Sequence, residues 1–149
     1  MFYKAISEEE LKVKLDLHKK WANYKENGER LNLCGFDLSG FNLSYANLRD
    51  ANLSDANLKG ANLSGIDLKG CKLYKTDLFY TKIDNMISIG NVGDKNRTVY
   101  YFYKDNRVIC GCFDDTLEEF EKVVREKYGK DNKSYKACIK LFKSYKWEE

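Results

Sequence analysis

Few residues in this chain are suited to chemistry, and they are scattered. Cys110-Gly-Cys112 is the closest pair of nucleophiles. It is one residue short of the Cys-x-x-Cys spacing of redox and zinc sites, and on a strand both thiols would face the same side. Cys34, Cys71 and Cys138 complete no disulfide or zinc spacing, and the odd total of five forbids complete pairing. Reduced, packed thiols are the expectation. His18 is the only histidine and has Trp21 one helical turn further on. With no nucleophile or acid placeable beside it, it reads as a packed or capping side chain rather than a base. No glycine-rich phosphate loop and no usefully spaced carboxylate pair accompanies these residues. The sequence is therefore read as non-enzymatic, with no catalytic, metal or cofactor site.

A second set of polar residues is periodic. Asn32, Asn42, Asn47, Asn52, Asn57 and Asn62, with Asp37, Asp67 and Asp77, recur at multiples of five. Lined up, they look like a ladder for divalent ions. Short polar side chains at fixed spacing more often bond the nearby backbone and one another. Near the C-terminus, Lys133, Lys136, Lys140 and Lys143 share a helical face. No aromatic platform or base-reading motif stands with them, so a solvated face is expected and nucleic acid is disfavoured as a partner.

The element behind the Asn/Asp series is a repeat. Written in fives from Leu31, the third residue is Leu33, Leu38, Leu43, Leu48, Leu53, Leu58, Leu63, Leu68, Leu73, Leu78 and finally Ile83. The first residue is apolar or small throughout, with Ala46, Ala51, Ala56 and Ala61 in succession. A period of five matches neither a helix nor a free strand, but it fits a short extended step followed by a corner. The first and third side chains then point inward and the second outward. Ser39-Gly40, Lys59-Gly60, Ser64-Gly65 and Lys69-Gly70 supply turn chemistry at the fourth and fifth positions. Four such sides would close a coil, with coils stacked at about 4.8 Å. Leu33, Leu53 and Leu73 would then form one column, and Leu38, Leu58 and Leu78 the next. Phe36 and Phe41 would plug the N-terminal end, where no coil lies beneath them.

The A-[N/D]-L-x-x pattern over residues 31–85 resembles the pentapeptide-repeat family. The resemblance implies a right-handed quadrilateral β-helix, here of just under three coils, so the fold class is mainly β. Flanking segments are expected to cover its ends. In residues 1–30, Ser7-Glu-Glu-Glu10 is a capping box ahead of a helix that buries Leu11, Leu15, His18, Trp21 and Ala22 and stops near Asn27-Gly28. In residues 86–149, Thr98–Tyr103 and Arg107–Cys112 read as a β-hairpin around Lys104-Asp105-Asn106. A helix follows, capped by Thr116, ended by Gly129, and burying Leu117, Phe120, Val123, Val124 and Tyr128. A last helix from Lys133 to Trp147 buries Tyr135, Cys138, Ile139, Phe142 and Tyr145. This ββαα tail is expected to pack on the last coil. The tail and His18-Lys-Lys-Trp21 look similar to small phage and prophage pentapeptide-repeat proteins of Gram-positive bacteria.

Bulk properties narrow the partners. The net charge of +3 is nearly balanced, and residues 31–85 carry six acidic and six basic side chains. No segment is an electrostatic magnet for nucleic acid or anionic lipid. The N-terminus lacks a secretory pattern and no run approaches a membrane span, so a cytoplasmic location without membrane contact is expected. Some relatives in the resembled family imitate DNA and inhibit type II topoisomerases. That activity needs a long acidic rod, whereas eleven repeats give about 14 Å of neutral helix axis. A scaffold that binds a protein partner is the leading expectation. Tyr45 and Tyr74, which interrupt the polar outer face, are its contact residues, while Phe79 and Tyr80 are expected to be covered. An incompletely covered C-terminal coil or an exposed aromatic hairpin would favour a homodimer.

Overall fold

The period of five closes on itself every twenty residues. The structure is a computed structural model and describes residues 2–93, 95, 97–129 and 132–144. Asn32, Asn52 and Lys72 bridge in parallel, as do Asp37, Asn57 and Asp77, then Asn42, Asn62 and Lys82, and finally Asn47 and Asp67. Four pentapeptides therefore complete one coil of a β-helix-type solenoid. The ladder is regular: Leu33 N–H donates to the Asn52 carbonyl at 2.8 Å, and Asn52 N–H donates to the Leu31 carbonyl at 2.9 Å.

At most corners the first residue of one repeat donates to the third-residue carbonyl of the repeat before, as Ala56 does to Leu53 at 3.1 Å. The fifth position takes positive φ whether or not it is glycine. It is 68° at Gly60 and 60° at Tyr45, with Asp50, Asp55, Lys75 and Tyr80 alike. The side-chain pattern, more than glycine, dictates the corner. The ten leucines from Leu33 to Leu78 are at most 4% exposed and fill the tube, while Ile83 is only half-buried. Phe36 and Phe41 are likewise half-buried at the first coil. Where the first position carries a polar group, that group finds a carbonyl inside. Thr76 and Thr81 hydroxyls donate to the Leu53 and Leu58 carbonyls at 2.8 and 2.9 Å, and the Cys71 thiol donates to Leu48.

Before the repeats, helix α1 (Glu8–Ala22) starts at Ser7, whose side chain accepts from Glu10 N–H at 3.1 Å. Leu11 and His18 are buried, Leu15 and Ala22 are half-buried, and Trp21 is 37% exposed rather than inside. The helix ends at Ala22, short of Asn27-Gly28, because Asn23 caps it and the chain then turns at Tyr24 with φ 55°. Gly28 instead lets the returning chain pass the helix backbone, where a Cβ would lie 2.2 Å from Trp21 N. Ahead of α1, Lys4 adds itself to the first coil as a parallel bridge with Phe36, through 2.8 Å bonds to the Gly35 carbonyl and from Asp37 N–H.

Contacts divide the chain into two compact units, Met1–Asp84 and Asn85–Glu149. In the second, the hairpin expected from sequence is the centre of a four-stranded antiparallel meander. Its strands are β1 (Met86–Val92), β2 (Arg97–Phe102), β3 (Arg107–Cys110) and β4 (Phe113–Thr116), in that order. The outer strands escape pattern reading for separate reasons. β1 opens directly out of the repeats, and β4, Phe-Asp-Asp-Thr, holds two acids. Asp114 is accommodated by a bidentate pair with Arg107 at 2.6 Å across β3–β4.

Helix α2 (Leu117–Tyr128) is capped by Thr116, which accepts from Glu119 N–H at 3.3 Å, and ends at Gly129 with φ 68°. It buries Leu117, Phe120 and Val124, while Val123 is exposed. Helix α3 (Lys133–Ser144) starts where Asn132 accepts from Tyr135 N–H at 3.1 Å, and it buries Tyr135, Cys138, Ile139 and Phe142. Tyr145 and the expected end at Trp147 lie outside the described residues. One core, from Val92 through Phe142, closes this unit among its own elements.

Candidate functional site

The Asn/Asp array is structural in its geometry. Nine second-position side chains accept the N–H two residues on, as Asn57 does from Lys59 and Asn62 from Ser64, both at 3.1 Å. Coils are also tied to one another. Asn52 Nδ2 donates to Asn32 at 3.2 Å, and Asn57 Nδ2 donates to Asp37 at 2.9 Å. Donation from Ser39 holds the Asp37 carboxyl below its usual range. At Lys72 and Lys82 the acceptor is gone, in the last coil. Among the described residues no group of three or more His, Cys, Asp or Glu side chains could hold a metal ion.

Tyr45 and Tyr74 are exposed at 82% and 43%. They do not form one patch. Tyr45 stands in register with Gly65, and Tyr74 is nine residues beyond Gly65, close to half of a twenty-residue coil. The Tyr45 ring passes over Gly65 in the next coil, where a Cβ would meet it at 2.4 Å. Phe79 and Tyr80, expected to be covered, are exposed at 44% and 78% and pack on each other with centroids 4.0 Å apart. They occupy the corner between those of Tyr74 and Tyr45.

His18 is fully buried, and its Nδ1 accepts the Leu31 N–H at 3.1 Å. It stacks on Trp21 at 5.3 Å. Burial holds its pKa below 6.5, against the Arg49 backbone and the Asp50 carboxylate, which favour the charged form. A neutral imidazole that takes the first coil's N–H is a cap, and it has no path to act as a base.

The two cysteines of Cys110-Gly-Cys112 line one cavity but differ in exposure. β3 ends at Cys110, which is buried, and Gly111 at φ 61° turns the chain so that Cys112 is exposed. Burial pushes the Cys110 thiol up, despite the Arg97 guanidinium beside it, and pushes Cys138 up to about 12. Nucleophilic or redox thiols need the opposite shift. None of the five cysteines, all of them described residues, forms a disulfide. The lysine face of α3 is exposed, and Lys143 pairs with Glu121 of α2. No helix among the described residues is long and apolar enough to cross a membrane.

The repeat region is similar to known proteins. A family model for pentapeptide repeats matches in eight copies over residues 29–65 and 51–83. A solved pentapeptide-repeat protein, Rfr23 from the cyanobacterium Cyanothece 51142, is 45% identical over 36% of this chain and 36% of its own length, with a TM-score of 0.35. The match thus spans about a third of that protein. Among curated proteins none matches the chain.

Proposed function

We propose that this chain, whose residues 29–83 belong to the pentapeptide-repeat family, is a non-enzymatic scaffold that binds another protein on the outer face of a right-handed, four-sided β-helix. The observation that carries this reading is Tyr45. A bulky residue in the left-handed region costs about 1 kcal/mol or more, and glycine holds the next coil's corner, at Gly65, without that cost. Yet Tyr45 is held at φ 60° while the residue is 82% exposed, so burial does not account for a tyrosine there. Exposed tyrosine is also what protein interfaces favour at their anchors. The tube wall around it alternates small polar and balanced charged side chains, a surface suited to a specific and weakly charged partner. The resemblance of the tail supports a phage or prophage setting for that partner.

Affinity capture from host extract with the whole chain tests the reading, using Tyr45→Gly and Tyr74→Ser as separate variants. Because the two tyrosines lie on different corners, loss of a captured protein in one variant alone identifies the binding face. Capture unchanged in both would end the proposal. Tyr45→Gly should keep or slightly raise thermal stability, which separates a lost contact from a lost fold.

A further inference from the structure

The second unit holds a cavity of about 260 Å³ between α2 and the β3–β4 turn. Its inner wall is Cys110, Phe120, Val124 and Tyr135, each at most 5% exposed. Phe113 leans on Phe120 with ring centroids 5.2 Å apart. Two cations, Arg97 and Lys127, line the cavity, and no carboxylate is among its described lining residues.

Arg97 is set in place by what surrounds it. Its guanidinium lies across Gly111, where a Cβ would come within 3.2 Å of Nη1, and its charge favours the Cys110 thiolate against the burial that opposes it. Burial pushes the Cys110 thiol and the Tyr135 phenol up, so both stay neutral at physiological pH and neither offsets the guanidinium charge. A half-buried guanidinium against aromatic walls gains most from an anion that it can hold with two parallel bonds. Lys127 at the opening adds attraction without fixed geometry.

We propose that this cavity binds a small organic carboxylate with an apolar body, its carboxylate on Arg97 and its body against Phe113 and Phe120. The volume lies just below the usual range for drug-sized ligands, which limits the class to small acids. The site does not depend on the scaffold reading, because every lining residue belongs to the second unit.

Benzoate, benzamide and inorganic phosphate titrated separately into the full chain, followed by amide NMR shifts, test the proposal. Benzoate should shift the amides of Arg97, Cys110, Gly111 and Phe120 with a Kd of about millimolar or below. Benzamide, of the same shape without charge, should bind at least about ten-fold more weakly, and phosphate should not compete. Arg97→Met should weaken benzoate about ten- to hundred-fold, and Lys127→Met about two-fold. The benzoate–benzamide contrast in the unaltered chain decides the matter even if Arg97→Met loses its fold. Equal binding of benzamide, competition by phosphate alone, or no shifts with benzoate would overturn the site.

Discussion

The two units fill their cores by opposite routes. In residues 31–84 each inward side chain meets the same kind of neighbour, five residues along or twenty residues up the stack, and leucine serves at ten successive third positions. In residues 85–149 the neighbours come from unrelated places in the chain. Tyr101 of β2 stacks on Phe142 of α3 at 4.8 Å, and Tyr128 of α2 stacks on Tyr135 of α3 at 5.0 Å. One environment reused many times can be filled completely by one residue type. Environments that differ at every position demand aromatic rings of awkward shape, and these leave space between them. The cavity beside Arg97 belongs to that second kind of packing.

The comparison breaks most visibly at Leu58, which is fully buried in the middle coil. Leu58→Lys places an unpaired charge inside the tube and should abolish amide-exchange protection across residues 31–84. Retained protection would show that the five-residue register is wrong. The counterpart in the second unit is Phe142→Ala, at a site also fully buried. It should cost about 3–5 kcal/mol in denaturant unfolding, since irregular packing collapses poorly around a lost ring.

Smaller effects sharpen the contrast. Asn57→Ala removes both the bond from Lys59 N–H and the bond to Asp37 in the coil before, and should cost about 1–2 kcal/mol. Asn47→Ala removes only the bond from Arg49 N–H and should cost about half as much. Equal losses would deny the bond between coils.

The smallest expected effect is that of pH. Because the folded-state pKa of His18 lies below 6.5, the unfolded chain binds the extra proton first. Its contribution to stability is complete above about pH 6.5 and declines as pH falls from there toward the lowered folded value. In His18→Gln this part of the pH dependence should vanish from thermal melts, and a profile identical to that of the unaltered chain would exclude the capping role.

Much of the repeat was legible because its signal is redundant. Eleven matching third positions survive any single ambiguity, and the Asn/Asp bonds follow from side-chain length alone. The bridge of Lys4 with Phe36 was not legible, because a lone extended segment before a helix carries no period. β4 was hidden by Asp114 and Asp115, which disfavour strands until Arg107 answers one of them from the neighbouring strand. The unlike exposure of Cys110 and Cys112 was hidden for a related reason. Strand alternation puts both on one side, but Gly111 ends the strand between them. The site at Arg97 had no sequence signature, since its residues come from β2, β3, β4, α2 and α3.

By itself, then, the sequence determined the coil period, the inward leucines, the outward polar ladder and the helix caps at Ser7, Thr116 and Gly129. Each of these depends on residues close in the chain or separated by a constant step. Tertiary structure alone decided that Tyr45 and Tyr74 sit on different corners, that His18 accepts the first coil's N–H, and that Arg97 lines one cavity with Cys110, Phe113 and Tyr135. Those facts depend on distances between segments whose separation follows no period, and only the folded chain sets such distances.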